Sequence, residues 1–125
     1  MTVTRDVVVW LVDDVASVRK SIRAVLETSD FTVRDFSSAK EFLADFQPGS
    51  AGCLVVDQHM PEMSGIELLQ QLSARGIMPP TIVITGQGNS ALRAKALHAG
   101  AAAMLDKPVD GVELIELIDA TLAAA

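Results

Sequence analysis

Short apolar runs recur along the chain at roughly even intervals, and most of them end on a polar group. Val7–Val12 (VVVWLV) is rich in β-branched residues and stops at Asp13–Asp14. A short unbroken run of this kind predicts a strand buried on both faces, as in a parallel sheet. Gly52–Val56 (GCLVV) repeats the pattern and ends on Asp57, and Thr81–Thr85 (TIVIT) ends on its own hydroxyl. Phe31–Phe36 is a more polar strand, and Ala101–Leu105 is a weak fifth strand ending at Asp106–Lys107–Pro108.

Between the strands the period changes from two to 3.6. Val15, Val18, Ile22, Val25 and Leu26 line one face of a first helix, with Arg19, Lys20 and Arg23 on the other. Ser38–Phe46 is a short helix stopped by Pro48–Gly49. Ser64 caps a helix carrying Ile66, Leu69 and Leu72, and Gly76 with Pro79–Pro80 breaks it. Asn89 caps a fourth helix over Ser90–Ala99. The last helix runs from about Asp110 to Leu122, with Val112, Ile115, Ile118 and Leu122 as its core stripe and Leu114 and Leu117 off it. Five strands alternating with five helices predict a doubly wound, five-stranded parallel sheet with helices on both faces, a three-layer (βα)5 α/β fold. The expected organisation is one domain over residues 1–125, with no output domain.

Composition narrows the function. The net charge is −6, from 16 acids against 10 bases. That excludes direct nucleic-acid binding as the expected role, since phosphate backbones attract basic surfaces. The single cysteine, Cys53, lies in an apolar run and reads as a buried hydrophobe in a reducing compartment. The opening MTVTRDVVVW lacks a signal-peptide layout. No apolar run reaches the ~20 residues of a membrane helix. A cytoplasmic location without membrane contact is expected.

In an open parallel sheet ligands bind at the carboxyl ends of the strands. Here those ends bring Asp13–Asp14, Asp57, Thr85 and Lys107 together. Three carboxylates in a small space repel one another and favour proton uptake. A hard divalent cation relieves this, and an all-oxygen donor set suits Mg²⁺. A hydroxyl and an ammonium beside such a cation make a cradle for a phosphoryl group. Asp57 is then placed to act as nucleophile and form an aspartyl phosphate.

As an ordered set, LVDD, LVVDQHMP, TIVITG and DKP resemble the motifs of bacterial response-regulator receiver domains, across the whole chain. MPEMSGIELL and the GQG after Thr85 are most similar to the nitrogen-fixation regulator subfamily, whose receivers precede helix-turn-helix output domains. The resemblance implies a flavodoxin-like, CheY-like fold with Asp57 as phosphoacceptor and a histidine kinase or phosphotransfer protein as donor. It implies Asp14 as a direct metal carboxylate, Asp13 as one acting through water, and the backbone carbonyl of His59 as a further ligand. It implies Thr85 as the switch hydroxyl, Lys107 as the phosphate-binding lysine and a cis Lys107–Pro108 bond. Catalysis would be limited to self-directed phosphorylation and dephosphorylation, so the chain is not expected to be an enzyme. Output would pass through the face formed by the fourth helix, fifth strand and fifth helix.

Three positions depart from the family pattern. Met104 stands where the family has an aromatic switch residue, which reads either as a neutral apolar swap or as a weakened switch. Val15 replaces a frequent third acid, and Val109 a frequent phenylalanine. The imidazole of His59 can tune access to the site, His98 reads as solvent-facing, and Trp10 as core. No GxGxxG follows the first strand, which argues against a dinucleotide or flavin site. A homodimer through the fourth and fifth helices would pair Arg93 and Lys95 with Glu113, Glu116 and Asp119 of a second copy. Part of the face carrying Val15, Arg19, Ile22 and Arg23 is expected to dock the kinase. The alternatives are an interaction module with a weak or absent phosphorylation switch, or the receiver half of a DNA-binding regulator. A phosphatase-type hydrolase ranks below them, because His59 stands where it would need a second acid.

Overall fold

The computed structural model describes residues 7–125. Residues 1–6, on which the signal-peptide expectation partly rests, lie outside the described residues. The elements run β1 (Val8–Val12), α1 (Ala16–Thr28), β2 (Thr32–Phe36), α2 (Ala39–Asp45), β3 (Gly52–Asp57), α3 (Gly65–Ala74), β4 (Thr81–Thr85), α4 (Ser90–His98), β5 (Ala103–Asp106) and α5 (Gly111–Ala124). The strands form one parallel sheet in the order β2-β1-β3-β4-β5.

Alternation along the central strands sorts side chains to two faces. Val9 and Leu11 of β1, with Cys53 and Val55 of β3, face Ile22 and Leu26 of α1 and Leu114 and Ile118 of α5. Trp10 and Val12, with Leu54 and Val56, face Phe42 of α2, Leu68, Leu69 and Leu72 of α3, and Ala96 of α4. Both faces are covered, which explains why β1 and β3 read as unbroken apolar runs. β2 is polar because it is an edge strand: Val33 is buried while Thr32 and Arg34 are exposed, and Arg34 pairs with Asp45 at 2.7 Å. Trp10 is core, as expected, with its ring edge-on to Phe42 and Phe46. Cys53 is fully buried, and burial pushes its thiol up to about 12.

Two stripes differ from expectation. Val15 is not part of the α1 stripe; it caps the helix and is 44% exposed. In α5 the buried residues are Leu114, Ile118 and Thr121, while Val112 is 67% exposed. Spacings of four and three keep the buried set on one face, and Val112 lies two residues from Leu114, on the far side of the helix. Ser38, Ser64, Asn89 and Asp110 each accept a backbone N–H as helix caps. Ser64 and Glu67 form a reciprocal capping box.

Candidate functional site

The strand order reverses between β1 and β3, so their loops leave toward opposite faces and open a crevice at the carboxyl edge. Asp57 is the last residue of β3 and Thr85 the last of β4, while Asp13 follows β1 and Lys107 follows β5. A cleft of about 370 Å³ at this edge is lined by Asp14, Val15, Asp57, His59, Gly86, Gln87 and Lys107.

Asp13 is fastened from several sides. Its backbone N–H donates to Phe36 O at 3.1 Å, and its Oδ1 accepts from Val15 N at 2.8 Å. Arg19 Nη1 donates to its carbonyl at 2.7 Å. The same guanidinium binds Asp35 at 3.1 Å, and Arg23 binds Asp35 at 2.6 Å. Arg19 therefore struts the β1 and β2 ends instead of facing a docking partner. Ile22 is buried, so it too is withdrawn from the expected docking face.

The loop after Asp57 is held as firmly. Gln58 N donates to Ile84 O at 2.8 Å, and Gln58 Oε1 accepts from Ile66 N at 2.8 Å. Gly65 N donates to Gln58 O at 3.2 Å. A β-carbon at Gly65 would lie 2.9 Å from Asp57 O, so only glycine lets α3 start this close to the loop.

Asp13, Asp14 and Asp57 each bring a carboxylate oxygen within 4.8 Å of the others. Asp13 and Asp57 are buried, and Asp14 is exposed at the rim. Lys107 Nζ bridges the buried pair, 3.4 Å from Asp13 Oδ2 and 3.4 Å from Asp57 Oδ2. One ammonium does not balance three carboxylates. Burial, and then the charge of Asp13, push the Asp57 carboxyl above its ordinary range, against the opposing pull of Lys107. Asp13 Oδ2 and Asp57 Oδ1 are buried without a hydrogen-bond partner. Such orphaned anionic oxygens suit a hard cation, so these residues fit Mg²⁺.

Thr85 is fully buried, and its carbonyl accepts from Lys107 N at 2.8 Å. Its hydroxyl accepts from Gln87 N at 3.1 Å and lies 3.1 Å from His59 Nε2. Met104 is turned inward and 4% exposed, packed in the layer that holds Val83, Ala96 and Ala101. Its carbonyl accepts from Arg93 Nη1 at 3.2 Å, so part of Arg93 is already engaged within the chain. The Lys107–Pro108 bond is cis. The structure thus brings Asp13, Asp14, Asp57, His59, Thr85 and Lys107 to one edge of the sheet, while Met104 lies apart in the core layer. The strut by Arg19, the Gln58 clamp and the His59–Thr85 contact were not legible there, because each is a contact between elements distant in the chain.

The cleft at the carboxyl edge is lined by two carboxylates and a lysine, with the buried Thr85 hydroxyl beneath it in contact with His59, and comparison with known proteins identifies the kind of domain that carries such a site. Residues 9–119 match the model of the response regulator receiver domain family. The chain belongs to that family; it is a CheY-like receiver domain of the two-component response regulators. Transcriptional regulatory protein FixJ of Azorhizobium caulinodans is 41% identical over 114 residues, which cover 91% of this chain and 54% of the relative. The crystal structure of FixJ-N is 37% identical with a TM-score of 0.85, and the match covers 98% of both chains. The low-resolution structure of response regulator StyR is 38% identical with a TM-score of 0.88, over 96% of this chain and 61% of that one. The chain spans about half the length of the curated relatives it matches. Among the described residues no helix is long and apolar enough to cross a membrane.

Proposed function

We propose that this domain accepts a phosphoryl group on Asp57 from a histidine kinase or phosphotransfer protein, in a Mg²⁺-dependent reaction in the cytoplasm. The observation that carries the reading is a buried carboxylate at a strand end, with one oxygen orphaned and the other 3.4 Å from a lysine, beside two more carboxylates. An Asp57 oxygen attacks phosphorus; the O–P bond forms as the P–N bond of the donor phosphohistidine breaks, and the imidazole leaves with the bonding pair. Lys107 offsets charge on one phosphoryl oxygen, and the Thr85 hydroxyl donates to another. Asp13, Asp14, Asp57 and the His59 carbonyl would hold Mg²⁺, which when bound supplies charge neutralisation. Residues 1–125 form the receiver, a phosphoacceptor and not a turnover enzyme. Intact-protein mass after incubation with Mg²⁺ and a small acyl phosphate tests this: one added phosphoryl group is expected on the wild type and none on Asp57→Asn. A folded, Mg²⁺-binding wild type that gains no mass would remove the reading for small donors and leave only a dedicated kinase to try.

Output is assigned to the face of α4, β5 and α5. Lys95, Glu113, Glu116 and Asp119 are exposed there, which supports a symmetric homodimer through α4 and α5 with Arg93 adding what its bond to Met104 leaves available. Sedimentation with and without a phosphoryl mimic checks it; monomer alone at high concentration sinks the dimer. The names of the relatives point to transcription control as the pathway, with DNA contact made by a partner or by another domain, since this domain is acidic. A second reading rests on Met104. With this side chain already inward, phosphorylation would move it little, and the domain would act as an interaction module with a weak switch. Partner binding unchanged by phosphorylation would favour that reading.

A further inference from the structure

We infer that the imidazole of His59 is a positioning residue that ties the Thr85 hydroxyl into a resting orientation away from Asp57. Thr85 is fully buried, so its hydroxyl has few partners to choose from. Gln87 N donates to it at 3.1 Å, which occupies a lone pair and leaves the hydroxyl proton to be placed. Asp57 Oδ1 has no hydrogen-bond partner, so that proton does not go there. Among the described residues the remaining acceptor at hand is His59 Nε2, 3.1 Å away. Donation from the Thr85 O–H to His59 Nε2, the direction this inference assigns to the 3.1 Å contact, requires the ring proton to sit on Nδ1. His59 itself is exposed at the mouth of the cleft, and its loop is clamped to β4 and α3 through Gln58. Both ends of the tie are thus anchored, and it spans the site from the β3 loop to the end of β4.

This inference rests on the phosphoacceptor reading for its consequence. The hydroxyl can donate to a phosphoryl oxygen only after releasing His59, so the imidazole favours the unphosphorylated arrangement. One ordinary hydrogen bond shifts such a balance by about threefold to tenfold. His59→Leu keeps the bulk and removes the acceptor. It is expected to speed Asp57 phosphorylation by a small acyl phosphate by that factor. His59→Gln, which offers an acceptor oxygen at similar reach, is expected to return the rate toward wild type. In a Thr85→Val background His59→Leu should change nothing further. An unchanged or slower rate in His59→Leu overturns the restraint. The tie has a direct readout that needs no phosphorylation: ¹⁵N NMR of the His59 ring in metal-free protein at a pH where it is neutral. The Nδ1–H tautomer is expected in wild type and its loss in Thr85→Val. The Nε2–H tautomer in wild type, or a ring indifferent to Thr85→Val, overturns the inference. The expected tautomer in a protein that takes no phosphoryl group would uphold the tie and count against the phosphoacceptor reading alone, so the two failures are separable.

Discussion

Helices α3 and α4 cover the same face of the sheet, yet they are held differently. α3 buries Gly65, Ile66, Leu68, Leu69 and Leu72, opens on a reciprocal capping box, and is clamped by Gln58 to the loop after Asp57. α4 buries only Ala96, leaves Leu97 49% exposed, and reaches β5 through the bond from Arg93 to the Met104 carbonyl. An open groove of about 1060 Å³ lies between them. A fully buried leucine contributes roughly 1.5–3 kcal/mol, so α3 is anchored by several such terms and α4 by almost none. Asp57, at the end of β3, is therefore braced by the firmly held helix. α4 is the element of the two whose local opening should require less free energy.

The largest effect should come from α3. Leu69→Ala empties a fully buried site and is expected to lower stability by about 2–5 kcal/mol in urea unfolding. Leu97→Ala on α4 should stay within about 0.5 kcal/mol of wild type. Equal losses would break the comparison.

A smaller effect concerns the buried charge of Asp57. The raised Asp57 carboxyl means its charged form is disfavoured in the folded, metal-free protein. That penalty is absent below the ordinary carboxylate range, grows as pH rises toward the folded value, and is full above it. Asp57→Asn should therefore stabilise metal-free protein at neutral pH by ~1 kcal/mol, seen as a few degrees in Tm. The gain should vanish as pH falls through the Asp57 titration and shrink when Mg²⁺ stabilises the wild type. A destabilised Asn variant at pH 7 would mean that Lys107 outweighs burial and Asp13.

The smallest expected difference lies at the helix starts. Ser64→Ala removes half of a reciprocal box and Asn89→Ala a single bond. Each should cost about 1 kcal/mol, with Ser64 the larger. Glu67, whose carboxyl the Ser64 N–H holds below its ordinary range, supplies the other half of the box, and the loss in Glu67→Ala should be pH-dependent. It would be present at neutral pH and fade as pH falls through the Glu67 titration.

Much of this molecule was legible in advance for one physical reason: a parallel strand buried on both faces must be an apolar run, and a charge can appear only where the run leaves the sheet. β1 and β3 are such runs, and Asp13 and Asp57 mark their ends. The α5 stripe was misread because Leu, Ile and Val crowd that helix, so periodicity alone did not say which face meets the sheet; packing selected Leu114, Ile118 and Thr121. Arg19 looked like a solvent-side base because nothing local distinguishes it from Lys20. Its partner Asp35 comes from the neighbouring edge strand, and only the β1–β2 register brings them together.

The sequence by itself determined the elements, their order, and which chemical groups stand at the strand ends, since these follow from local period and polarity. Tertiary structure alone decided which carboxylate oxygens are orphaned, that Lys107 bridges Asp13 and Asp57, that Met104 turns inward, and that Thr85 faces His59 and not Asp57. Those outcomes depend on ångström-scale approach between side chains from different strands and loops, a quantity set by packing and carried by no single stretch of the chain.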